Sequence, residues 1–454
     1  MKFLKAHWPL LLCSLLVALA VALRLTLYGN PRLSIANNDT ITYVRSSEVN
    51  LFSWDAFTAK RLYTTNLIYN LLKNESSYEI LVNGSGDTTR RRIQPGFTGV
   101  ALFQVTLAVA GWGLLALVFA GRIKNPLLKI TGVLLILLFA FTPPLADWDS
   151  LLTSESLTFS LFALQLSLLI LLAFRLHEKP DLTWQNGLLL GAWGLIVFLW
   201  TFVRDTNLYI LWIDLLLILG LLFLPAFRKQ KYILGIAAFL IGLFVLGWAS
   251  SMQSIRSIWT MREVYQVVIL PSPANVQYMQ THAGMPPTDS PEWVAWFDAN
   301  AKDAYIKFLL AHPGYVATVY FKDALTAFAD NTQPYFNANE LPGRDVLLQI
   351  GDAFHPESPL PFFMDFVLLL VLWLAVLKRG AAGERPWAWL ATWIYLVANI
   401  NLFIVIFGDS YGLIRHALMA VTAFRLFTWM FTIVLADLAL TSPTKPNSLQ
   451  AAPR

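Results

Sequence analysis

The chain has 454 residues, of which 57% are hydrophobic and 13% are charged, whereas an ordinary soluble domain is about 45–50% apolar and about 25% charged. With a mean hydropathy of +0.57, too few polar residues remain to cover a water-exposed surface, which excludes a soluble enzyme. The net charge of +5 is scattered between apolar segments and indicates no nucleic-acid partner, and the single cysteine, Cys13, excludes a disulfide within the chain.

Ten apolar stretches are long enough to cross a membrane, because a helix needs about 20 residues to span the hydrocarbon core with its backbone amides satisfied. They lie near 7–27, 98–120, 127–145, 154–174, 187–203, 208–226, 232–252, 361–377, 387–407 and 417–436. Basic residues such as Arg122, Arg175 and Lys229 concentrate between spans on one side, and the positive-inside rule then puts both termini in the cytoplasm. The first stretch also fits a cleavable signal peptide, because two lysines precede it and small residues occur at 18–22.

The predicted fold class is an all-α polytopic membrane protein with about ten transmembrane helices and both termini inside. Residues 1–252 form an N-terminal membrane module of seven spans, whose long first outer loop covers 28–97. A small, mostly helical outer domain covers 253–360, with its best helices at 291–311 and 314–329. A second membrane module of three spans covers 361–440, and the polar tail 441–454 is predicted to be disordered.

Ionisable residues collect at the outer ends of the spans, and such groups are tolerated near a membrane where they reach water or a partner. They are Asp39 and Tyr43 after the first span, Asp147, Asp149 and Glu155 near the start of the fourth, Arg204 after the fifth, and Asp409, Arg415 and His416 before the tenth. Each also has a structural interpretation: Asp39 ends a run of turn-forming residues, and Glu155 lies where a helix dipole favours an acid. Asp214, the acid well inside a span, is expected to pair with Arg425.

This mixture of charges suits a reaction on a charged lipid. A carboxylate can accept a proton from a hydroxyl nucleophile, while cationic side chains can hold a phosphate leaving group. Asp147 and Asp149, separated by one residue, can also bind a divalent cation such as Mg²⁺ or Mn²⁺ through their oxygens.

Several of these positions resemble the GT-C class of membrane glycosyltransferases, which use lipid-phosphate sugars. Asp39 matches the acidic residue that opens the first outer loop in that class. Asp147 and Asp149 hold the place of the acidic pair between the third and fourth spans of oligosaccharyltransferases. The stretch 153–161, TSESLTFSL, resembles the opening of the fourth helix in uncharacterised bacterial members of the class. The same members are also similar to this chain at Arg204 and at the pair Arg415 and His416.

The resemblance implies an inverting hexosyl- or pentosyltransferase of the bacterial cytoplasmic membrane. It would move a sugar from a polyprenyl-phosphate donor to a hydroxyl of a glycan, lipid or protein acceptor in the cell envelope. The expected roles are base for Asp39; donor-phosphate binding for Arg204, Arg415 and His416; orientation of the donor or of a metal for Asp147 and Asp149; and support for Tyr43, Glu155 and Asp409.

Two other functions fit the same layout. A transporter or flippase would bind its substrate near the midplane on interrupted helices, often in two repeated halves, and the span lengths show no such duplication. A catalytically inactive lipid-binding protein would keep the scaffold without turnover, which the single acid after Asn37 and Asn38 allows.

Overall fold

The computed structural model describes residues 2–75, 92–329, 331–335, 341–379, 382–408 and 412–441. Within these ranges the regular secondary structure is helical, and Ile35 makes isolated bridges to Ile93 and Leu151. The helices of the first part of the chain, α1 to α12, are in order Lys2–Leu27, Thr40–Arg45, Asp55–Thr58, Tyr63–Leu72, Thr98–Arg122, Pro126–Phe141, Pro143–Ala146, Glu155–Glu178, Trp184–Thr201, Asp205–Leu208, Leu211–Gly220 and Lys231–Met252. The remaining helices, α13 to α21, are Arg256–Val264, Pro273–Ala283, Trp293–Ala311, Pro313–Ala327, Arg344–Phe354, Leu360–Arg379, Arg385–Gly408, Leu413–His416 and Leu418–Thr441.

Helices occupy all ten predicted spans. Eight spans in the described part of the chain are long and apolar enough to cross a membrane, and the third predicted span is a bent pair, α6 and the segment Pro143–Ser150, at an angle of 50°. The fifth predicted span, α9, has 18 residues with Gln185 and Asn186 in its first turn, and it is not among the eight. The protein is therefore an all-α polytopic membrane protein, as predicted. The cytoplasmic location of its termini stays a prediction.

The bend after α6 follows from two prolines. At the start of α6, the Asn125 side chain accepts hydrogen bonds from the backbone N–H groups of Leu127 and Leu128, and Pro126 occupies the first turn, a position where its missing N–H costs nothing. At the other end, Pro143 pushes Thr142 into an extended conformation with ψ 159°, because proline clashes with a helical residue before it. The chain therefore leaves the α6 axis before it reaches Asp147.

Helix α8 is the central helix of the bundle. In its most apolar window 83% of residues are buried, compared with 11% for α1 at the periphery. Its contact with α5 is close because Gly111 has no side chain: a Cβ there would lie 2.7 Å from the carbonyl oxygen of Ser160. Small residues allow such approach between membrane helices. The first turn of α8 is thus held at a fixed height in the bundle.

The long segment after α12 has two parts that pack differently. Helices α13, α14 and α15 bury a hydrophobic cluster of their own around Tyr265 and Phe297. Helices α16 and α17 pack on membrane helices instead, since Tyr320 donates a hydrogen bond to Asn399 at 2.9 Å and Gly351 lies against Pro144. Helices α15 and α16 occupy the two predicted stretches. The domain boundaries stay predictions, and the predicted disordered tail beyond Thr441 lies outside the described residues.

Candidate active site

A cavity of about 290 Å³ lies where the first turn of α8 meets the connections that follow α1, α3, α9 and α19. Six predicted site residues from four separate segments line it: Asp39, Tyr43, Glu155, Arg204, Arg415 and His416. Asp409 lies outside the described residues, and neither Asp147 nor Asp149 lines the cavity. The structure therefore brings together acids and cations that are up to 376 positions apart in the chain.

Asp39 is placed in the cavity by the buried side chain of Asn37. The side-chain Oδ1 of Asn37 accepts a hydrogen bond from the Asp39 backbone N–H at 2.8 Å, and the side-chain Nδ2 of Asn37 donates to the Leu152 backbone carbonyl at 3.1 Å. The residues around Asn37 thus form a turn, as predicted, and the Asn37 side chain joins this turn to the residues just before α8. The Asp39 side chain keeps 40% of its surface exposed, so a ligand can reach its carboxylate.

Arg415 is the centre of the polar network. Its guanidinium donates to Asp39 Oδ2 at 2.9 Å and to Glu155 Oε1 at 2.8 Å, and it bridges an accessible acid to one that is 1% exposed. It also donates to the hydroxyl oxygen of Tyr335 at 2.6 Å. Gly412 is the N-cap of the short helix α20 that presents Arg415. Its φ of +69° lies in the left-handed region, which glycine adopts readily because it has no Cβ.

Tyr335 is a site residue that the sequence analysis missed. Burial raises the pKa of Tyr335 to about 12, so its phenol stays neutral while its oxygen accepts from Arg415. It lies in a proline-rich connection with no periodic pattern, and nothing in the sequence relates it to Asp39.

Arg61 is a second residue that the sequence analysis missed. Its guanidinium donates to Thr42 Oγ1 at 2.6 and 2.8 Å, lies 3.8 Å from Asp39 Oδ1, and stacks 3.8 Å above the Tyr43 ring. Tyr43 in turn donates to Ser154 Oγ at 3.1 Å. Tyr43 therefore holds the Arg61 guanidinium against its ring, and this contact fixes Arg61 as the second cation beside Asp39. A sequence signal was present, because Lys60 and Arg61 form a basic pair between amphipathic stretches.

The lining of the cavity carries an excess of positive charge. Arg256 of α13 pairs with Asp205 Oδ2 at 3.0 Å, whereas Arg204 makes no ion pair with any residue that the structure describes. Over the whole lining, three carboxylates face six lysine and arginine side chains: Lys60, Arg61, Arg204, Arg256, Lys302 and Arg415. A cleft with one dominant sign concentrates ligands of the opposite charge, so the cavity favours an anion such as a phosphate.

Asp147 and Asp149 lie in buried ion pairs instead. The guanidinium of Arg344 in α17 donates hydrogen bonds to both carboxylate oxygens of Asp147. Arg24 of α1 donates to Asp149 at 2.9 Å. The intervening Trp148 is buried and packs edge-on against Tyr335, with 6.4 Å between the ring centroids. This segment therefore contacts the cavity indirectly, through the tyrosine that accepts a hydrogen bond from Arg415.

The residues do not fit a bound metal ion. Within the described ranges there is no group of three or more histidine, cysteine, aspartate or glutamate side chains able to hold one. Arg415 already lies between the carboxylates of Asp39 and Glu155, and arginines neutralise Asp147 and Asp149. The expected Mg²⁺ or Mn²⁺ stays an untested prediction, and the reaction proposed below uses no metal.

The prediction that Asp214 pairs with Arg425 was wrong. Its Oδ1 accepts a hydrogen bond from the indole nitrogen of Trp393 at 2.6 Å. Arg425 donates to the backbone carbonyls of Phe328 and Pro356. Both side chains are buried, and backbone or indole groups replace the ion pair.

No protein-family model matches the chain, and no curated protein matches it. Among solved structures, it is similar to the oligosaccharyltransferase of Archaeoglobus fulgidus in the apo form, with a TM-score of 0.48 and 13% identity over 96% of this chain and 51% of that one. A second match is AglB of the same organism in complex with an inhibitory peptide and a dolichol-phosphate, with a TM-score of 0.45 and 13% identity over 99% of this chain and 53% of that one. The chain spans about half the length of these proteins, and similarity at this level assigns it neither an activity nor a substrate.

Proposed function

We propose that the protein is a GT-C-type membrane glycosyltransferase that moves a sugar from a polyprenyl-phosphate donor to an acceptor hydroxyl on the extracytoplasmic side. The observation that supports this is the cavity at the ends of the membrane helices, where the accessible carboxylate of Asp39 and six lysine and arginine side chains share one lining. A lipid-linked donor can place its phosphate at these cations while its chain stays in the apolar phase.

In the proposed reaction the acceptor oxygen attacks the anomeric carbon of the sugar. The acceptor proton passes to Asp39, and the bond from the anomeric carbon to the phosphate oxygen breaks, with its electron pair leaving on the phosphate. Arg204 and His416, which line the cavity, stabilise the charge on the leaving phosphate, since cationic or donor groups fixed in advance need no reorganisation during the reaction. A single displacement from the opposite face inverts the anomeric centre.

Arg415 has a positioning role in this scheme. It is held by the buried carboxylate of Glu155 and by Tyr335, and it fixes the direction of Asp39 through a 2.9 Å contact. Arg61 restrains the other oxygen of Asp39 from 3.8 Å. Arg415 and Arg61 together hold the Asp39 carboxylate in one orientation. Catalysis benefits from this because reacting groups must be held close to their productive geometry.

The test is release of free polyprenyl phosphate by the full-length protein in nanodiscs, supplied with hexose- and pentose-linked donors and a panel of hydroxyl acceptors. Loss of a general base reduces rates by about 10²–10⁴, so Asp39→Asn is expected to lower release by at least about a hundredfold. Arg204→Ala is expected to weaken donor binding. The matched control is Asp289→Asn, an exposed acid outside the cavity, which should leave release unchanged.

The same assay separates the alternative functions. Movement of a labelled lipid across the bilayer with no released product would indicate a transporter, and donor binding without turnover by the unmodified protein would indicate an inactive lipid-binding protein. Normal release by Asp39→Asn would contradict the assigned base.

A further inference from the structure

The proposed reaction leaves part of the positive charge of the active-site cavity without a role. Six lysine and arginine side chains and three carboxylates line the cavity, which gives a net charge of +3. A polyprenyl phosphate esterified to a sugar brings a single negative charge, so two positive charges remain uncompensated when the donor is bound. Lys60 and Lys302 make no ion pair with any residue that the structure describes, and the proposed reaction uses neither of them.

The side chain of Arg256 brings these two lysines to one rim of the cavity. It is 9% exposed and donates to the backbone carbonyl just before Lys60. It also donates to Ser250 Oγ in the last turn of α12 at 3.0 Å. The Nζ of Lys302 lies at the same end of α12, 3.9 Å from Met252 Sδ. A loop, a membrane helix and α15 therefore meet here and present two ammonium groups.

Each of these ammonium groups lies near an indole ring. Lys60 Nζ is 5.3 Å from the ring centroid of Trp259, and Lys302 Nζ is 5.3 Å from that of Trp248. A tryptophan ring attracts a cation within about 6 Å, so it restrains a long side chain without neutralising its charge. The two tryptophans are 51% and 48% exposed. The ammonium groups are thus held at an accessible rim and keep their charge for a ligand.

We propose that this rim binds a negative charge on the acceptor, so that the preferred acceptor is an acidic saccharide with a carboxylate or phosphate near its reacting hydroxyl. This inference rests on the proposed transfer reaction and names its acceptor class. Lys60 lies in the predicted outer loop 28–97 and Lys302 in the predicted outer domain 253–360, so a soluble saccharide reaches them from the aqueous side. A cleft with an excess of one charge concentrates ligands of the opposite charge.

The experiment uses the full-length protein in phosphatidylcholine nanodiscs and pairs of saccharides that differ in one group. The pairs are methyl glucoside with methyl glucuronide and the corresponding galactose and mannose compounds. Binding without donor is measured by isothermal titration calorimetry, and transfer by release of polyprenyl phosphate. In at least one pair the acid should bind, and be used, about five- to twentyfold better, as expected for two accessible ion pairs. Raising the ionic strength from about 0.05 to about 0.5 M should reduce this preference by screening.

Variants of the rim test its assignment. Lys60→Gln and Lys302→Gln should each lower the preference about two- to fivefold, the double variant should remove it, and Lys60→Arg should retain it. The matched control is Lys307→Gln, since Lys307 is an exposed lysine of α15 outside the cavity, and the preference should be unchanged.

The two readouts separate this inference from the proposed function. A preference in binding without any transfer would support the rim and contradict the transferase, whereas transfer with equal use of both members of every pair would do the reverse. The comparison of unmodified protein with two saccharides needs no variant, so it remains decisive if a substitution disturbs folding. Equal binding within every pair, an equal loss in Lys307→Gln and Lys302→Gln, or a loss confined to the KM of the donor would overturn the proposal.

Discussion

The ion pair between Asp147 and Arg344 is expected to stabilise the fold rather than to take part in transfer. Both side chains are buried, with 3% and 7% of their surface exposed, and the guanidinium contacts both carboxylate oxygens. Removing one partner of such a pair leaves an uncompensated buried charge, which costs about 3–5 kcal/mol. Asp147→Leu and Arg344→Met should each lower the free energy of unfolding by about that amount.

The double variant distinguishes a structural role from a catalytic one. Replacing both partners by apolar residues removes the buried charges together, and such exchanges are often neutral or stabilising. Asp147→Leu combined with Arg344→Met should therefore recover most of the stability, with a coupling free energy of about 4 kcal/mol or more in a double-mutant cycle. It should also still release polyprenyl phosphate.

Denaturant unfolding followed by tryptophan fluorescence measures these effects. The control is Glu178→Gln, since Glu178 pairs with Arg122 at 3.8 Å while 65% exposed, and exposed pairs contribute about 1 kcal/mol or less. A structural role for this ion pair is contradicted if the single variants are no less stable than this control, or if the double variant stays as unstable as either single one. A stable double variant without transfer activity would return Asp147 to the donor or metal role that the sequence predicted.

Three further predictions concern other parts of the structure. Asn37→Ala removes the side chain that holds the Asp39 backbone and should lower the turnover number about tenfold with a smaller change in KM, as measured by polyprenyl phosphate release. Gly111→Ala places a Cβ 2.7 Å from the Ser160 carbonyl oxygen and should cost about 1–3 kcal/mol in unfolding, whereas Gly187→Ala, with nothing within 4 Å, should be neutral or slightly stabilising. Burial lowers the pKa of His355 from its ordinary 6.5 to about 3, so between these values the unfolded chain binds the extra proton and stability should fall as pH falls. His355→Gln should flatten the dependence of the free energy of unfolding on pH in this range. An unchanged dependence would contradict the burial of a neutral His355 as its cause.

The sequence predicted the spans well because hydropathy measures the dominant cost in a membrane, an unsatisfied or charged group in hydrocarbon. The same counting placed Asp39, Arg204 and Arg415 at the same end of the bundle, and all three line one cavity. Counting spans cannot show that Arg415 bridges Asp39 and Glu155, since that depends on side-chain packing.

The partners of the buried acids were beyond the sequence. Asp147 pairs with a residue 197 positions away and Asp149 with one 125 positions away, and no local pattern encodes either contact. One signal was available, because Arg24 is a cation inside the first apolar stretch and such a residue requires a partner. Tyr335 gave no signal, since an aromatic residue in an irregular connection is recognisable as functional from its contacts alone.

The shared donor site can be tested by photo-crosslinking of the full-length protein with a polyprenyl-phosphate sugar that carries a photoreactive group on the sugar. One probe is expected to label peptides containing Asp39, Arg61, Arg204 and Arg415, and free polyprenyl phosphate is expected to compete with the labelling. Labelling confined to a single one of these segments, or found instead around His177 and Arg385 at the other end of the bundle, would contradict it.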